Sequence, residues 1–313
     1  MAKQTLDKLA KSYSAFEKSD VSDFQRKARI LQSMWRKERG FKAGQYQGKT
    51  RGNYLPMPWA QNTLNNFLSD TTRKVVAKEV LHQSDYSKFY AKPRVFNNLL
   101  SSQPLCFNLF AELQQDLFLA TKVFRQLCPY RVNTVLSIQF EHSPGIKDAS
   151  YLGDRSAFDV YVEFFNKADE KGFIGIEVKY HENLRDTPAE TKERYFEVAS
   201  AMGCFKNECL ESLRRAPLEQ IWRNHLLAGS LQYSPKDSFK DGLFVFVYPQ
   251  QNLHCRQAVK QYKQCLTIDR TFQSWTLESI VEAIKQNTKD RWIDDVIDRY
   301  LNFEKIEKYL MKP

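Results

Sequence analysis

Residues 156–182 begin Ser-Ala-Phe-Asp-Val-Tyr-Val-Glu-Phe-Phe, continue through a polar link over 166–172, and end Phe-Ile-Gly-Ile-Glu-Val-Lys-Tyr-His-Glu. Both arms alternate residue by residue between apolar and polar side chains, which is the period of a β-strand. The link (Asn-Lys-Ala-Asp-Glu-Lys-Gly) is polar and ends in glycine. The stretch is therefore predicted to form an antiparallel hairpin.

The alternation assigns the side chains of this hairpin to two different faces. The apolar face carries Val160, Val162, Phe164, Ile174, Ile176, Val178 and Tyr180. The opposite face carries Asp159, Tyr161, Glu163, Gly175, Glu177, Lys179 and His181. With a loop of about five to seven residues, Asp159 would lie opposite Glu177 or Lys179, with Cβ atoms about 5 Å apart. Charges in the middle of an otherwise apolar hairpin are costly unless they are paired or bind a metal.

Two carboxylates beside an ammonium have a chemical use in phosphodiester hydrolysis. Hard cations such as Mg²⁺ prefer carboxylate oxygens and usually keep several waters. A cation held by Asp159 and Glu177 would polarise a phosphodiester and lower the pKa of a bound water. Lys179, two residues further along the same face, would orient that water or stabilise the developing negative charge.

The pattern resembles the PD-(D/E)XK nuclease superfamily, in which an Asp begins one strand and a Glu-X-Lys lies on the next. Here the match is Asp159 followed by Glu177-Val178-Lys179 after eighteen residues. Glu190-Thr191-Lys192 also fits Glu-X-Lys, but on a predicted helix, where the spacing has no meaning. The alternative interpretation is a surface ion pair on a half-exposed sheet.

The resemblance implies roles for particular residues. Asp159 and Glu177 would bind Mg²⁺, for which Mn²⁺ could substitute, and Lys179 would position the attacking water. An added acidic residue would be Glu141, with Glu112 as the second choice. Auxiliary polar residues beside the metal would be Gln220, Arg223 or His181. Asp154 is an alternative to Asp159, although its position in a turn favours an Asx-type acceptor.

The order of predicted elements specifies the fold class. A strand over 132–142, the hairpin, two helices and a buried apolar strand over 243–248 follow a helix that begins near 107. This order predicts an α/β (α+β) protein with a restriction-endonuclease-like αβββαβ core, a central mixed sheet flanked by helices, and helical N- and C-terminal additions. The predicted domains are a helical, basic region over 1–105, the nuclease core over 106–265, and C-terminal helices over 266–313 packed on the core.

Positive charge is concentrated near the N-terminus. The net charge is +10, and residues 26–51 contain nine basic residues and one acid, a net +8. Basic residues interleaved with Tyr and Trp suit contact with a phosphate backbone. The predicted nucleic-acid contacts are Arg26, Arg29, Arg36, Lys37, Arg39, Lys49 and Arg51, together with Arg155 before the hairpin. The first three are predicted to lie on a solvated stripe of a helix. The alternative is a structural arm packed by its aromatic residues.

Composition and residue spacing argue against membrane, secreted and zinc-binding proteins. No run of eighteen apolar residues predicts a membrane span, and the N-terminus lacks the apolar segment of a secretory signal. The six cysteines show no Cys-x-x-Cys spacing and are predicted to be reduced thiols of a cytoplasmic protein. Zinc-site spacing of His is also absent.

These observations favour a Mg²⁺-dependent endonuclease acting on DNA, of the restriction or defence type. The competing hypothesis is a non-catalytic nucleic-acid-binding or scaffold protein that keeps the fold. A hydrolase of small substrates would need a nucleophile–base pair or a zinc signature that the sequence lacks. Cutting of both strands would suit a homodimer, although no heptad pattern is present.

Overall fold

The computed structural model describes residues 2–85, 87–186 and 190–311. The chain forms two compact units, which are called here the helical unit and the sheet unit. The helical unit comprises Met1–Gln83, Tyr90–Ala111 and Lys289–Pro313, and the sheet unit comprises Ser84–Phe89 and Glu112–Thr288. The predicted functional division at residues 105 and 265 stays a prediction.

The described part of the chain contains seven strands and fourteen α-helices. The strands are β1 (Gly44–Tyr46), β2 (Lys49–Arg51), β3 (Thr134–His142), β4 (Phe158–Phe165), β5 (Lys171–Val178), β6 (Asp241–Tyr248) and β7 (Phe272–Thr276). The helices are α1 (Ala2–Ser12), α2 (Asp23–Glu38), α3 (Trp59–Thr63), α4 (Asp70–Val76), α5 (Arg94–Asn97), α6 (Ser102–Gln115), α7 (Leu117–Leu127), α8 (Glu193–Met202), α9 (Leu210–Leu213), α10 (Glu219–Gln232), α11 (Leu253–Gln264), α12 (Leu277–Asn287), α13 (Trp292–Tyr300) and α14 (Glu304–Leu310).

The sheet unit is built on a five-stranded mixed sheet in the order β3-β4-β5-β6-β7. The pairs β3–β4 and β4–β5 are antiparallel, and β5–β6 and β6–β7 are parallel. The mixed sheet flanked by helices confirms the predicted fold class. Strand β7 was not predicted, because its five residues are too few for a clear alternation and the helical pattern of α12 follows at once.

The predicted hairpin is formed by β4 and β5. Asn166 begins the turn, and its side-chain oxygen accepts hydrogen bonds from the backbone N–H groups of Ala168 (2.8 Å) and Glu170 (3.0 Å). Such side-chain acceptors are a common way to close a turn. The register pairs Val160 with Ile176 and Val162 with Ile174, which confirms the predicted apolar face.

Strand β6 is an interior strand of the sheet and lies between β5 and β7. Residues 243–247 are fully buried on both faces, as the continuous apolar run predicts. Helix α10 packs against β6 and β5, and α7 packs against β3 and α12. These contacts fix α10 over the strand that carries Glu177.

The helical unit contains α1–α5, α13 and α14 and the small hairpin of β1 and β2. Ser22 and Gln25 form a capping box at the start of α2. The sequence predicts a loop over 40–58, but the structure places β1 and β2 there, so that prediction was wrong in part. No helix in the described ranges is long and apolar enough to span a membrane.

Candidate active site

Three carboxylates stand side by side on adjacent strands of the sheet unit. Glu141 lies between the pairs Phe140–Val160 and His142–Phe158, opposite Asp159. The β4–β5 register, continued by one residue beyond Val160–Ile176, places Asp159 opposite Glu177. Of the two partners that the sequence predicted for Asp159, Glu177 and Lys179, the register therefore selects Glu177. One oxygen of Asp159 also accepts a hydrogen bond from the backbone N–H of Val178 at 2.7 Å, which fixes the side chain against β5.

The carboxylate of Glu177 is held by three donors. Lys179 Nζ lies 2.6 Å and Gln220 Nε2 2.8 Å from its Oε1, and Asn224 Nδ2 donates to its Oε2 at 2.7 Å. The Glu177 side chain is buried, and a hydrogen bond from an ammonium such as that of Lys179 is stronger than one between neutral groups. Both oxygens are thus fixed in orientation.

The two amide donors come from one face of α10. Gln220 and Asn224 are four residues apart, so they lie one helical turn from each other. Gln220 was among the predicted auxiliary residues, whereas Asn224 was not assigned a role. The four-residue spacing from Gln220 was the one feature of the sequence that could have marked Asn224 as a site residue. Its contact with Glu177 depends on how α10 packs on β5, which the sequence does not specify.

Burial and repulsion act on Asp159. Burial is the largest cause that raises its pKa well above the ordinary value, and the neighbouring charges of Glu177 and Glu141 add to it. Lys179 and the Val178 N–H act in the opposite direction without cancelling the rise. The protein alone therefore disfavours a negative charge at this position.

Lys179 is held as an ammonium ion. Burial lowers its pKa, but attraction by Glu177, Glu182 and Asp159 outweighs burial, and the pKa lies above its ordinary value. For Glu182, burial raises the pKa, but Lys179 and the Tyr180 N–H, which donates at 2.8 Å, bring it below its ordinary value. Lys179 is therefore a hydrogen-bond donor and not a proton acceptor.

The donor set fits a hard divalent cation. Among the residues that the structure describes, no cluster of three or more His, Cys, Asp or Glu is arranged to hold a metal ion. Asp159 and Glu177 nevertheless offer carboxylate oxygens, and Mg²⁺ is commonly held by one or two carboxylates with several waters. The raised pKa of Asp159 shows where added positive charge would be stabilising.

A cleft of about 850 Å³ opens over this site. Its lining includes Glu141, Asp159, Glu177, Arg155, Gln220 and Arg223. Arg223 also pairs with Glu219 at 3.5 Å on the same helix. Among the described lining residues His181 is not present. Its predicted auxiliary role stays a prediction.

Two features of the cleft wall concern Glu141 and Arg155. Glu141 has a backbone φ of 47°, in the left-handed region that non-glycine residues seldom adopt and that is enriched at functional sites. Arg155 is exposed, and no described residue bonds or pairs with its side chain. The adjacent Asp154 accepts from Ser156 N–H at 2.8 Å and from the Tyr195 hydroxyl at 2.5 Å, which fixes the turn that presents Arg155.

The arginines of α2 are used inside the helical unit. Arg29 binds the buried Asp20 at 2.6 and 2.8 Å, and Arg36 is 8% exposed and donates to the carbonyl oxygens of Gly52, at 2.8 Å, and Phe41. The expectation of a solvated stripe was therefore wrong for both, because each forms hydrogen bonds with groups distant in sequence.

Most other cations of this stretch also have acidic or aromatic partners. These are Arg26 with Asp23 (3.1 Å), Lys27 with Glu307 (3.3 Å), Arg39 with Asp295 (2.8 Å), Arg51 with Glu17 (2.5 Å), and Lys37 over the ring of Tyr13 (5.0 Å). Lys42 and Lys49 are exposed and pair with no side chain in the described part of the chain. Contact of this stretch with nucleic acid stays a prediction, and Lys42 and Lys49 are exposed cations available for it.

Comparison with known families gives a match over most of the chain. The family model described as PD-(D/E)XK nuclease superfamily matches residues 18–302. The match extends well beyond the predicted core and includes α2 and its basic residues. No curated protein and no solved structure matches the chain.

Proposed function

Because the chain belongs to the PD-(D/E)XK nuclease superfamily, we propose that it is a metal-dependent endonuclease that hydrolyses DNA phosphodiester bonds, in a restriction or defence role in the cytoplasm. The observation that carries this proposal is the convergence of Asp159, Glu177, Lys179, Gln220 and Asn224 under one open cleft. All six cysteines are free thiols, which supports a reducing compartment.

Asp159 and Glu177 would hold Mg²⁺, and Mn²⁺ would substitute for it. The bound cation would supply polarisation of the scissile phosphodiester and a water of lowered pKa. Gln220 and Asn224 fix the plane of the Glu177 carboxylate, so its oxygens need not reorganise during the reaction. The neighbouring Glu141 would add negative charge to the site.

Lys179 would act as a fixed cation. Its ammonium lies 2.6 Å from Glu177 and keeps its proton at neutral pH. It can donate a hydrogen bond to the oxygen of the attacking water or to the phosphate as negative charge develops there. It cannot serve as the general base while that proton is held.

Arg155 would hold the substrate strand. Its side chain is exposed in the cleft, and the turn at Asp154 fixes its backbone. A guanidinium binds phosphate oxygens through two parallel hydrogen bonds, which would orient the scissile bond over Asp159 and Glu177.

The test is cleavage of supercoiled plasmid by the wild type and Glu177→Ala with Mg²⁺, Mn²⁺ or EDTA. Cleavage by the wild type alone, lost in EDTA, is the expected result, and the exposed Glu208→Gln serves as a control that should cut normally. Linear product would further support a homodimer that cuts both strands. If no protein cuts while both bind DNA equally, the non-catalytic binding protein becomes the better assignment.

A further inference from the structure

An aromatic side chain stands exposed in the cleft that contains the carboxylates. Phe89 is 76% exposed and lines this cleft together with Asp159 and Glu177. Single exposed aromatic residues are common on protein surfaces, and Phe118 (71%) and Tyr130 (92%) are further examples. Phe118 and Tyr130 belong to the sheet unit but do not line the cleft. Of these three aromatic residues, Phe89 is the one that lies beside the candidate metal-binding carboxylates.

The cleft therefore offers an apolar surface together with a cation. Ile146, 37% exposed, lines it as well, and Arg155 provides a guanidinium without a partner in the described structure. A nucleotide has two matching parts, the phosphate and the face of the base. In a duplex the base faces are covered by stacking, and only the groove edges and phosphates are presented. A phenyl ring stacks on an unpaired base without the cost of a few kcal/mol that unstacking a paired step would add.

We propose that the cleft binds a strand with an unpaired nucleotide next to the scissile phosphate, and that Phe89 stacks on its base while Arg155 holds the phosphate. The substrate class is then single-stranded or locally unpaired nucleic acid, such as a flap, a bulge or a flipped nucleotide. This inference rests on the proposed nuclease function and specifies its substrate.

The experiment compares Phe89→Ala, Phe89→Leu and Phe89→Trp with the wild type in the full chain. Fluorescence anisotropy in EDTA, where no cleavage occurs, measures binding to a 15-nucleotide single strand, to its duplex and to that duplex with a one-nucleotide bulge. The Ala and Leu variants should weaken binding of the single strand and the bulge about ten-fold, because loss of a stacked base has an effect of this order. The Trp variant should restore it, and duplex binding should change less than two-fold in all (about 0.4 kcal/mol).

Phe118→Ala provides a matched control, since that phenylalanine is similarly exposed on the same unit but does not line the cleft. Equal losses for duplex and single strand, full affinity in Phe89→Leu, or equal effects of Phe89→Ala and Phe118→Ala would each overturn the inference. Because binding is measured without cleavage, a protein that binds as expected but never cuts with any metal would disprove the nuclease and leave the stacking site established.

Discussion

Asn224 donates a hydrogen bond of 2.7 Å to Glu177 from a helix that packs over the strand carrying that carboxylate. Gln220 and Lys179 bind the other oxygen, so Asn224 is the described side chain that holds Oε2. The orientation of a carboxylate proposed to bind metal therefore depends on α10 as well as on the hairpin.

Asn224→Ala should reduce cleavage about 10- to 100-fold, the usual effect of removing a residue that orients a metal ligand. The loss should be larger at low metal concentration, because the unrestrained carboxylate binds the cation less well. The measurement is the cleavage rate of the wild type and the variant as a function of Mn²⁺ concentration. It is made at a temperature at which thermal unfolding shows that the variant is folded. An unchanged metal dependence would show that Asn224 has only a structural role.

Asp159→Asn should abolish cleavage and increase stability without metal. Burial and the charges of Glu177 and Glu141 raise the pKa of Asp159, so the folded state holds this proton more tightly than the unfolded state. That contribution is complete below about pH 4 and is lost as the pH rises through the folded-state pKa. Thermal unfolding in EDTA between pH 5 and 8 should show a steeper decline for the wild type.

Addition of Mg²⁺ to the same samples provides the control. It should raise the unfolding temperature of the wild type, because a ligand of the folded state stabilises it, and leave Asp159→Asn unchanged. Each kcal/mol of stabilisation corresponds to about 1.5 °C in a chain of 313 residues, because the unfolding entropy is about 2.1 cal/mol/K per residue. If Mg²⁺ raises the unfolding temperature of both proteins equally, Asp159 does not bind the cation.

Lys179→Met should destabilise the protein by about 3–5 kcal/mol, because it leaves buried carboxylates without their cation. Lys179→Arg keeps the charge and should retain most of the stability, yet lower turnover, since a planar guanidinium does not reproduce the geometry of an ammonium. Denaturant unfolding and single-turnover cleavage separate the two effects. Full activity in Lys179→Arg would contradict a positioning role for the ammonium.

The hairpin and its row of acids could be predicted because strand alternation is a local property of the sequence. The period and the loop length place Asp159 opposite Glu177 or Lys179, and the register of the folded hairpin selects Glu177. Strand β7 could not be predicted, since five residues beside a strong helical pattern give too short a signal. The role of Asn224 also depends on tertiary packing, because only the docking of α10 brings its amide to Glu177.

The basic stretch shows a different limit of sequence reasoning. A count of charges finds Arg29 and Arg36, but not the groups that bind them. Asp20 precedes the counted window, and the acceptor carbonyl of Gly52 follows it. The cluster of charges therefore predicted an exposed basic surface, whereas some of its arginines bind groups inside the helical unit.

Arg155→Ala should weaken binding of a single-stranded oligonucleotide about ten-fold or more, which corresponds to the loss of a charge-assisted hydrogen bond. Arg155→Lys should recover part of the affinity, because lysine binds phosphate as a point charge. Arg256→Ala removes an exposed arginine that does not line the cleft and is the control. Equal affinities of the Arg155 and Arg256 variants would assign the phosphate contact to another residue.

The exposed lysines of the helical unit provide the test of its predicted DNA contact. Lys42→Ala combined with Lys49→Ala should lower the slope of log Kd against log salt for duplex DNA by up to about 1.8, since each phosphate contact contributes about 0.9. Lys8→Ala with Lys18→Ala makes the same change of charge at two other exposed lysines of this unit and should leave the slope nearly unchanged. Arg29→Ala should instead lower the unfolding temperature, because it leaves the buried Asp20 without its ion-pair partner. A slope that falls equally in both double variants would mean that general charge, and not this stretch, binds the DNA.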